Sequence, residues 1–209
     1  MGFVFNVHPD GHETSVRYLL HDAIVFIAAF IEQQNGQVKR FCDGFDVASR
    51  TDCGFIYNKE RGELCVSGVS EFEYDLNGVF KEEFPEYILE SQVIMLWSIL
   101  EKNLMSVAQE FFKMKDKPWR GIDKRKSCFS QLIKRIEEAI GIKFPSTTVS
   151  FLNSNTRAVR NALIHSKRSI HVTHEFLDVK EGILVSVHPE YVSEVVLQMK
   201  RLSVELLVT

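Results

Sequence analysis

"EYILESQVIMLWSILEKNLMSVAQEFFKM", Glu86–Met114, is the stretch from which the architecture follows. Leu89, Val93, Leu96, Leu100, Leu104, Val107 and Phe111 recur at intervals of three and four residues. That period puts them on one face of a helix, and a face this apolar needs other elements to cover it. Pro118 and Gly121 in "KDKPWRGID" end the pattern.

The elements that supply the cover lie on both sides. Downstream, "KSCFSQLIKRIEEAIG" reads as a helix with Gly141 as its C-cap. "KFPS" connects it to a helix over roughly 149–166, with Ser146 or Thr147 as the cap. "SIHVTHEFLDVKEGILVSVHPE" then alternates like short strands, and a last helix runs from about Glu190 to Leu207. Upstream, Glu13–Gln34 predicts a helix ending before Gly36, nearly surrounded by apolar residues in its second half and therefore mostly covered. In "GFIYNKERGELCV", Phe55–Tyr57 and Leu64–Val66 flank a polar turn and predict a β-hairpin. The expected fold is mainly α. An antiparallel helical bundle over residues 81–209 follows an N-terminal α+β extension over residues 1–80 that contains β-hairpins.

The chain has 209 residues, 45% apolar and 25% charged, which suits a soluble globular protein and excludes a disordered one. Net charge is −3, so no bulk attraction to a polyanion is expected, but charge is unevenly distributed. Glu71–Glu90 holds seven carboxylates and one lysine, and Lys113–Lys126 holds seven basic residues and two aspartates. Cys42, Cys53, Cys65 and Cys128 form no C-x-x-C pair and fit no zinc spacing, which points to reduced thiols in a cytoplasmic protein. "AIVFIAAFI", Ala23–Ile31, is nine residues long, whereas a spanning helix needs about 20, so it reads as a buried helix and not a membrane anchor.

The polar residues of "TRAVRNALIHSKRS", Thr156–Ser169, are the ones that carry chemistry. At about 100° per residue, Leu152, Thr156, Val159, Ala162 and Leu163 form the core stripe. Arg157, Asn161 and His165, spaced by four, project from the opposite side, with Arg160 at the flank and Ile164 away from the core. An imidazole that titrates near neutrality moves protons, and a guanidinium binds a phosphate and stabilises charge developing on it. Together these groups suit RNA cleavage by the strand's own 2′-hydroxyl. His165 would handle the proton and Arg160 the phosphate, with no metal or other cofactor.

"RNALIH", Arg160–His165, has the R-N-x-x-x-H form, and with its place in a late bundle helix it resembles the HEPN superfamily over roughly Tyr87–Thr209. The resemblance implies a HEPN-like bundle. It implies a metal-independent endoribonuclease of toxin–antitoxin or phage-defence type, with Arg160, Asn161 and His165 as catalytic residues. It also implies a homodimer whose two motifs meet in a composite cleft, which would cover Ile164, and an antitoxin or defence-complex protein as a further partner. The alternative within the same resemblance is a non-catalytic HEPN module that binds nucleotide, RNA or a partner protein. Lys167 stands where one toxin branch has a modified Tyr, so that modification is not expected here.

Arg157, Lys167, Arg168, Lys124 and Arg125 are the candidate RNA-binding residues around this motif. Trp119, inside the basic stretch, either stacks on a base or packs on the bundle, and packing is the favoured reading. His171, His174 and His188 lie in the strand-like segment, but their spacing forms no tetrahedral set.

Overall fold

The computed structural model describes residues 11–46, 55–58, 62–66, 69–71, 73–123, 125–165 and 168–208. It is mainly helical, as expected. Helix α1 spans His12–Asp46, α2 is the single turn Leu76–Gly78, and α3 spans Phe84–Met114. They are followed by α4 (Cys128–Ile140), α5 (Ser146–Ser150), α6 (Arg157–Ile164) and α7 (Pro189–Glu205). Wide π-helical turns, Val79–Glu83 and Phe151–Thr156, join α2 to α3 and α5 to α6. Strands β1 (Phe55–Asn58), β2 (Glu63–Val66) and β3 (Val69–Ser70) form one antiparallel sheet, and β4 (Leu177–Lys180) and β5 (Ile183–Val187) form another.

The chain divides into two compact units, Met1–Ala28 with Glu90–Thr209, and Ala29–Leu89. The expected division at residue 80 is not where the units part. Helical structure runs without interruption from Leu76 into α3, and the first part of α1 groups with the C-terminal helices.

In the larger unit the predicted row on α3 is the core. Val93, Leu96, Leu100, Leu104, Val107 and Phe111 are all fully buried. Trp97 packs on Phe129 of α4 with ring centroids 5.4 Å apart, and the Arg17 guanidinium of α1 lies 5.9 Å from the Phe111 ring. Arg17 also donates to the Leu206 carbonyl at 3.0 Å, which ties α1 to the end of α7. Buried Thr148 donates to Gln198 at 2.9 Å, which ties α5 to α7. A buried hydroxyl left without such a partner would cost about 1–3 kcal/mol.

The caps show where local sequence was sufficient. Gly141 ends α4 at φ +76, and its N–H bonds the Glu137 carbonyl at 2.9 Å. Ser127 caps the start of α4 by accepting from the Ser130 N–H at 3.4 Å. The expected Ser146 or Thr147 cap is absent. Pro145 holds the N-cap position of α5, and no side chain closes it.

Helix α1 departs from expectation twice. It runs through Gly36 to Asp46, because a mid-helix glycine costs only about 1 kcal/mol. Within the smaller unit Phe41 and Cys42 both meet Phe80, by a 5.3 Å edge-to-face ring contact and an Sγ to carbonyl bond of 3.5 Å. These contacts offset that cost. Nor is the helix covered all round. Val16, Leu20, Ile24 and Ile27 are buried, but Phe26 is 61% exposed and Phe30 51%. Over Glu13–Asp43 α1 is long and apolar enough to cross a membrane, by length and composition only, with 39% of its most apolar stretch buried.

In the smaller unit the predicted hairpin is present. β1 and β2 pair with Phe55 opposite Val66 and Tyr57 opposite Leu64, and Gly62 takes φ +64 beside the turn.

Candidate active site

The site is built on the helix that runs through α5, the π-helical turn and α6. In the turn the Arg157 N–H bonds back to the Leu152 carbonyl, five residues earlier. The wide turn resets the helix by a fraction of a revolution, and such turns are common at functional sites. Thr148, Leu152, Thr156, Val159 and Ala162 nonetheless face the core, close to the predicted stripe.

Arg157, Arg160 and Asn161 are half-buried at the edge of that stripe. The Arg157 Nε donates to the Asn153 carbonyl at 3.0 Å. The Arg160 Nη1 donates to the Asn161 Oδ1 at 3.0 Å, while its buried Nε has no hydrogen-bond partner. Asn161 therefore holds the neighbouring guanidinium.

His165 closes that helix. It is the C-cap of α6, with φ −92 and ψ 134, and its N–H makes the last helical bond to the Asn161 carbonyl at 3.0 Å. The carbonyl of His165 accepts from the Arg168 N–H at 3.0 Å, and the residue is exposed. His165 stands at the helix end, beside exposed Ile164 and one turn beyond Asn161.

Glu101 of α3 joins the arginines, and the sequence reading missed it. Burial raises its carboxyl above the usual carboxylate range, opposed by the positive charge of Arg160, a hydrogen bond from Trp97 and the charge of Arg157. Burial, and after it the charge of Glu101, pushes the Cys128 thiol up. A signal was present. Trp97, Glu101, Leu104 and Ala108 follow a core-facing row of α3, and Glu101 is its one charged member.

The other candidate residues are dispersed. Arg168, at φ +44, points its Nη2 at both carboxylate oxygens of buried Glu90, 2.7 and 2.8 Å away, and its Nη1 at the Val185 carbonyl at 3.2 Å. Its guanidinium thus fastens the segment after α6 to α3 and β5 and is already engaged, which corrects the expectation of a free RNA-binding cation. Arg125 is exposed on the loop between α3 and α4. Lys124 and Lys167 lie outside the described residues.

Trp119 packs on the bundle. The Arg135 guanidinium covers one face at 4.5 Å, and Phe112 meets it edge to face at 5.5 Å. His174 packs among Phe151, Phe176 and Tyr191, and His188 bonds Asp178 at 3.0 Å. Among the described residues no three His, Cys, Asp or Glu are grouped to hold a metal ion.

What the fold and site define is a mainly helical protein with a cationic, half-buried helix end facing one carboxylate. Compared with protein-family models, curated proteins and solved structures, the chain matches none.

Proposed function

We propose that the chain is a HEPN-type, metal-independent endoribonuclease of toxin–antitoxin or phage-defence type, with a HEPN-like bundle. It acts as a homodimer in the cytoplasm, with RNA as substrate and an antitoxin or defence-complex protein as a further partner. The observation that carries this reading is the pairing of Arg160 with Asn161 at 3.0 Å on the last turn before an exposed His165. A half-buried guanidinium with a fixed orientation suits a phosphoryl oxygen, and an imidazole open to solvent suits proton transfer.

In the reaction the 2′-oxygen attacks phosphorus and the bond from phosphorus to the 5′-oxygen breaks. The His165 of one subunit takes the 2′-hydroxyl proton, and the second copy's His165 protonates the departing 5′-oxygen. Arg160 stabilises the added negative charge. The products are a 2′,3′-cyclic phosphate and a 5′-hydroxyl. Each chain carries one motif histidine, so the acid and the base come from two copies. Ile164, 46% exposed beside that histidine, is an apolar contact for the second copy.

A second reading has its own support. Glu101 partly neutralises Arg157 and Arg160, which suits a non-catalytic HEPN module that binds nucleotide, RNA or a partner protein. One assay separates the two. Purified protein incubated with RNA in EDTA should leave cyclic phosphate ends, and Arg160→Ala and His165→Ala should not. Equal behaviour of the three proteins across diverse RNAs would favour the binding module. Sedimentation at micromolar concentration tests the dimer, which Ile164→Asp should weaken together with activity.

A further inference from the structure

The loop from Lys115 to Ser127 exposes Lys115, Lys117, Arg120, Arg125 and Lys126. Among the described residues none of the five has a carboxylate within ion-pair distance, whereas nearby cations outside the loop do. Lys113 lies 3.9 Å from Glu110, Lys134 lies 3.7 Å from Glu138, and Lys143 lies 2.9 Å from Glu137. Five unpaired like charges on one short loop repel one another, and a chain of net charge −3 does not need them all for solubility.

The backbone beneath them is clamped from α4. The Gln131 Oε1 accepts from the Asp123 N–H at 2.9 Å, and its Nε2 donates to the carbonyls of Asp123, Lys126 and Ser127 at 2.9, 3.4 and 3.3 Å. The Arg135 Nη2 donates to the carbonyls of Arg120 and Gly121, both at 2.7 Å, while its guanidinium covers Trp119. On either side of Lys124, which lies outside the described residues, the loop thus has a set path, with Trp119 turned inward and the five cations exposed. Its end reaches the candidate site. The Ser127 Oγ donates to the Asn153 Oδ1 at 3.0 Å, and the carbonyl of that same Asn153 holds Arg157.

From this we infer that the α3–α4 loop is a pre-ordered track for the phosphodiester backbone of a single-stranded RNA, leading the strand to Arg157. The naming of RNA, and not DNA, rests on the ribonuclease reading; the track itself does not. Charge without an apolar anchor suits a polyphosphate, whose binding is driven by counterion release. A protein partner would need an aromatic or aliphatic anchor, and here Arg135 covers a face of Trp119 and Ile122 is half-buried. A clamped loop also loses little freedom on binding.

The test is fluorescence anisotropy with a labelled single-stranded RNA and the His165→Ala protein, which keeps the strand intact. Against that background, Lys115→Gln, Lys117→Gln, Arg125→Gln and Lys126→Gln are combined and compared with Lys134→Gln plus Lys143→Gln. The loop variant should bind at least tenfold more weakly. The slope of log affinity against log salt should become shallower by about 3, at roughly 0.7 for each phosphate that is no longer neutralised. The control pair should change affinity less than twofold.

Unchanged affinity and slope in the loop variant, with circular dichroism showing both proteins folded, overturns the proposal. So does tighter loop-dependent binding to polyglutamate than to RNA, which would mark a protein surface. Equal binding of DNA of the same length supports a backbone track, and cleavage of that DNA as fast as RNA overturns the choice of RNA alone. Loop-dependent RNA binding without cleavage by the wild type refutes the nuclease and leaves the track. With RNA well below saturation, cleavage by an otherwise wild-type loop variant at the wild-type rate refutes the track and leaves the nuclease.

Discussion

Arg157 and Arg160 on α6 are half-buried and lie within electrostatic reach of Glu101, whereas Lys115, Lys117, Arg120, Arg125 and Lys126 on the loop are exposed and unpaired. Both regions are basic, both belong to the larger unit, and Asn153 links them. They differ in what surrounds the charge. A half-buried guanidinium is stabilised by a counter-charge and by fixed acceptors, so its position is set to within a hydrogen bond. An exposed lysine keeps its hydration and its rotamers, so it attracts a polyanion without choosing one atom of it. The first arrangement suits chemistry on a single phosphate and the second suits holding a strand in many registers.

The sharpest way to break that contrast is to compare rates. Arg160→Ala or His165→Ala should lower RNA cleavage at least a hundredfold, about 2.7 kcal/mol of barrier, while any single loop lysine changed to Gln should lower it only a few-fold. Single-turnover assays at saturating RNA would show it, and equal losses would erase the distinction.

Arg168 extends the comparison to a cation committed entirely within the fold. Glu90→Ala should lower stability by about 3 kcal/mol and the melting temperature by roughly 6–12 °C in a scan, because it strands a guanidinium that now meets a buried carboxylate. Ser127→Ala removes both a helix cap and the bond to Asn153. The expected loss is about 1 kcal/mol, or 2–4 °C, and a larger fall in RNA affinity than in stability would show that the tether aligns the loop with Arg157.

The smallest effect concerns pH. The Glu101 carboxyl is raised in the folded chain, so the folded state holds a proton that the unfolded state releases near 4.5. The part of the stability that Glu101 contributes is therefore greatest below that value and falls as pH rises from 4.5 through the raised folded pKa. Glu101→Gln should remove this part of the slope. Melting curves of both proteins across that window check it, and parallel curves would mean that the carboxylate is not held as described.

How much of this was legible depended on how local each cause was. The buried row of α3, the hairpin from Phe55 to Val66 and the left-handed Gly141 cap arise from residues within a few positions of one another. The continuation of α1 past Gly36 did not, since it leans on Phe80, far along the chain. The π-helical turn and the early end of α6 escaped a regular wheel because the wheel assumes one unbroken period. Arg168 reads as a free cation in the sequence because its counter-charge, Glu90, lies 78 residues earlier.

By itself the sequence determined that the chain is mainly helical, where its longest core row runs, and that Arg157, Arg160, Asn161 and His165 belong to one short segment. Only the tertiary structure decided which of those charges are paired, that Glu101 faces the arginines, and that the imidazole stands at a helix end. Periodicity is a property of neighbours in the chain, whereas burial and counter-charge come from residues that meet only when the chain folds.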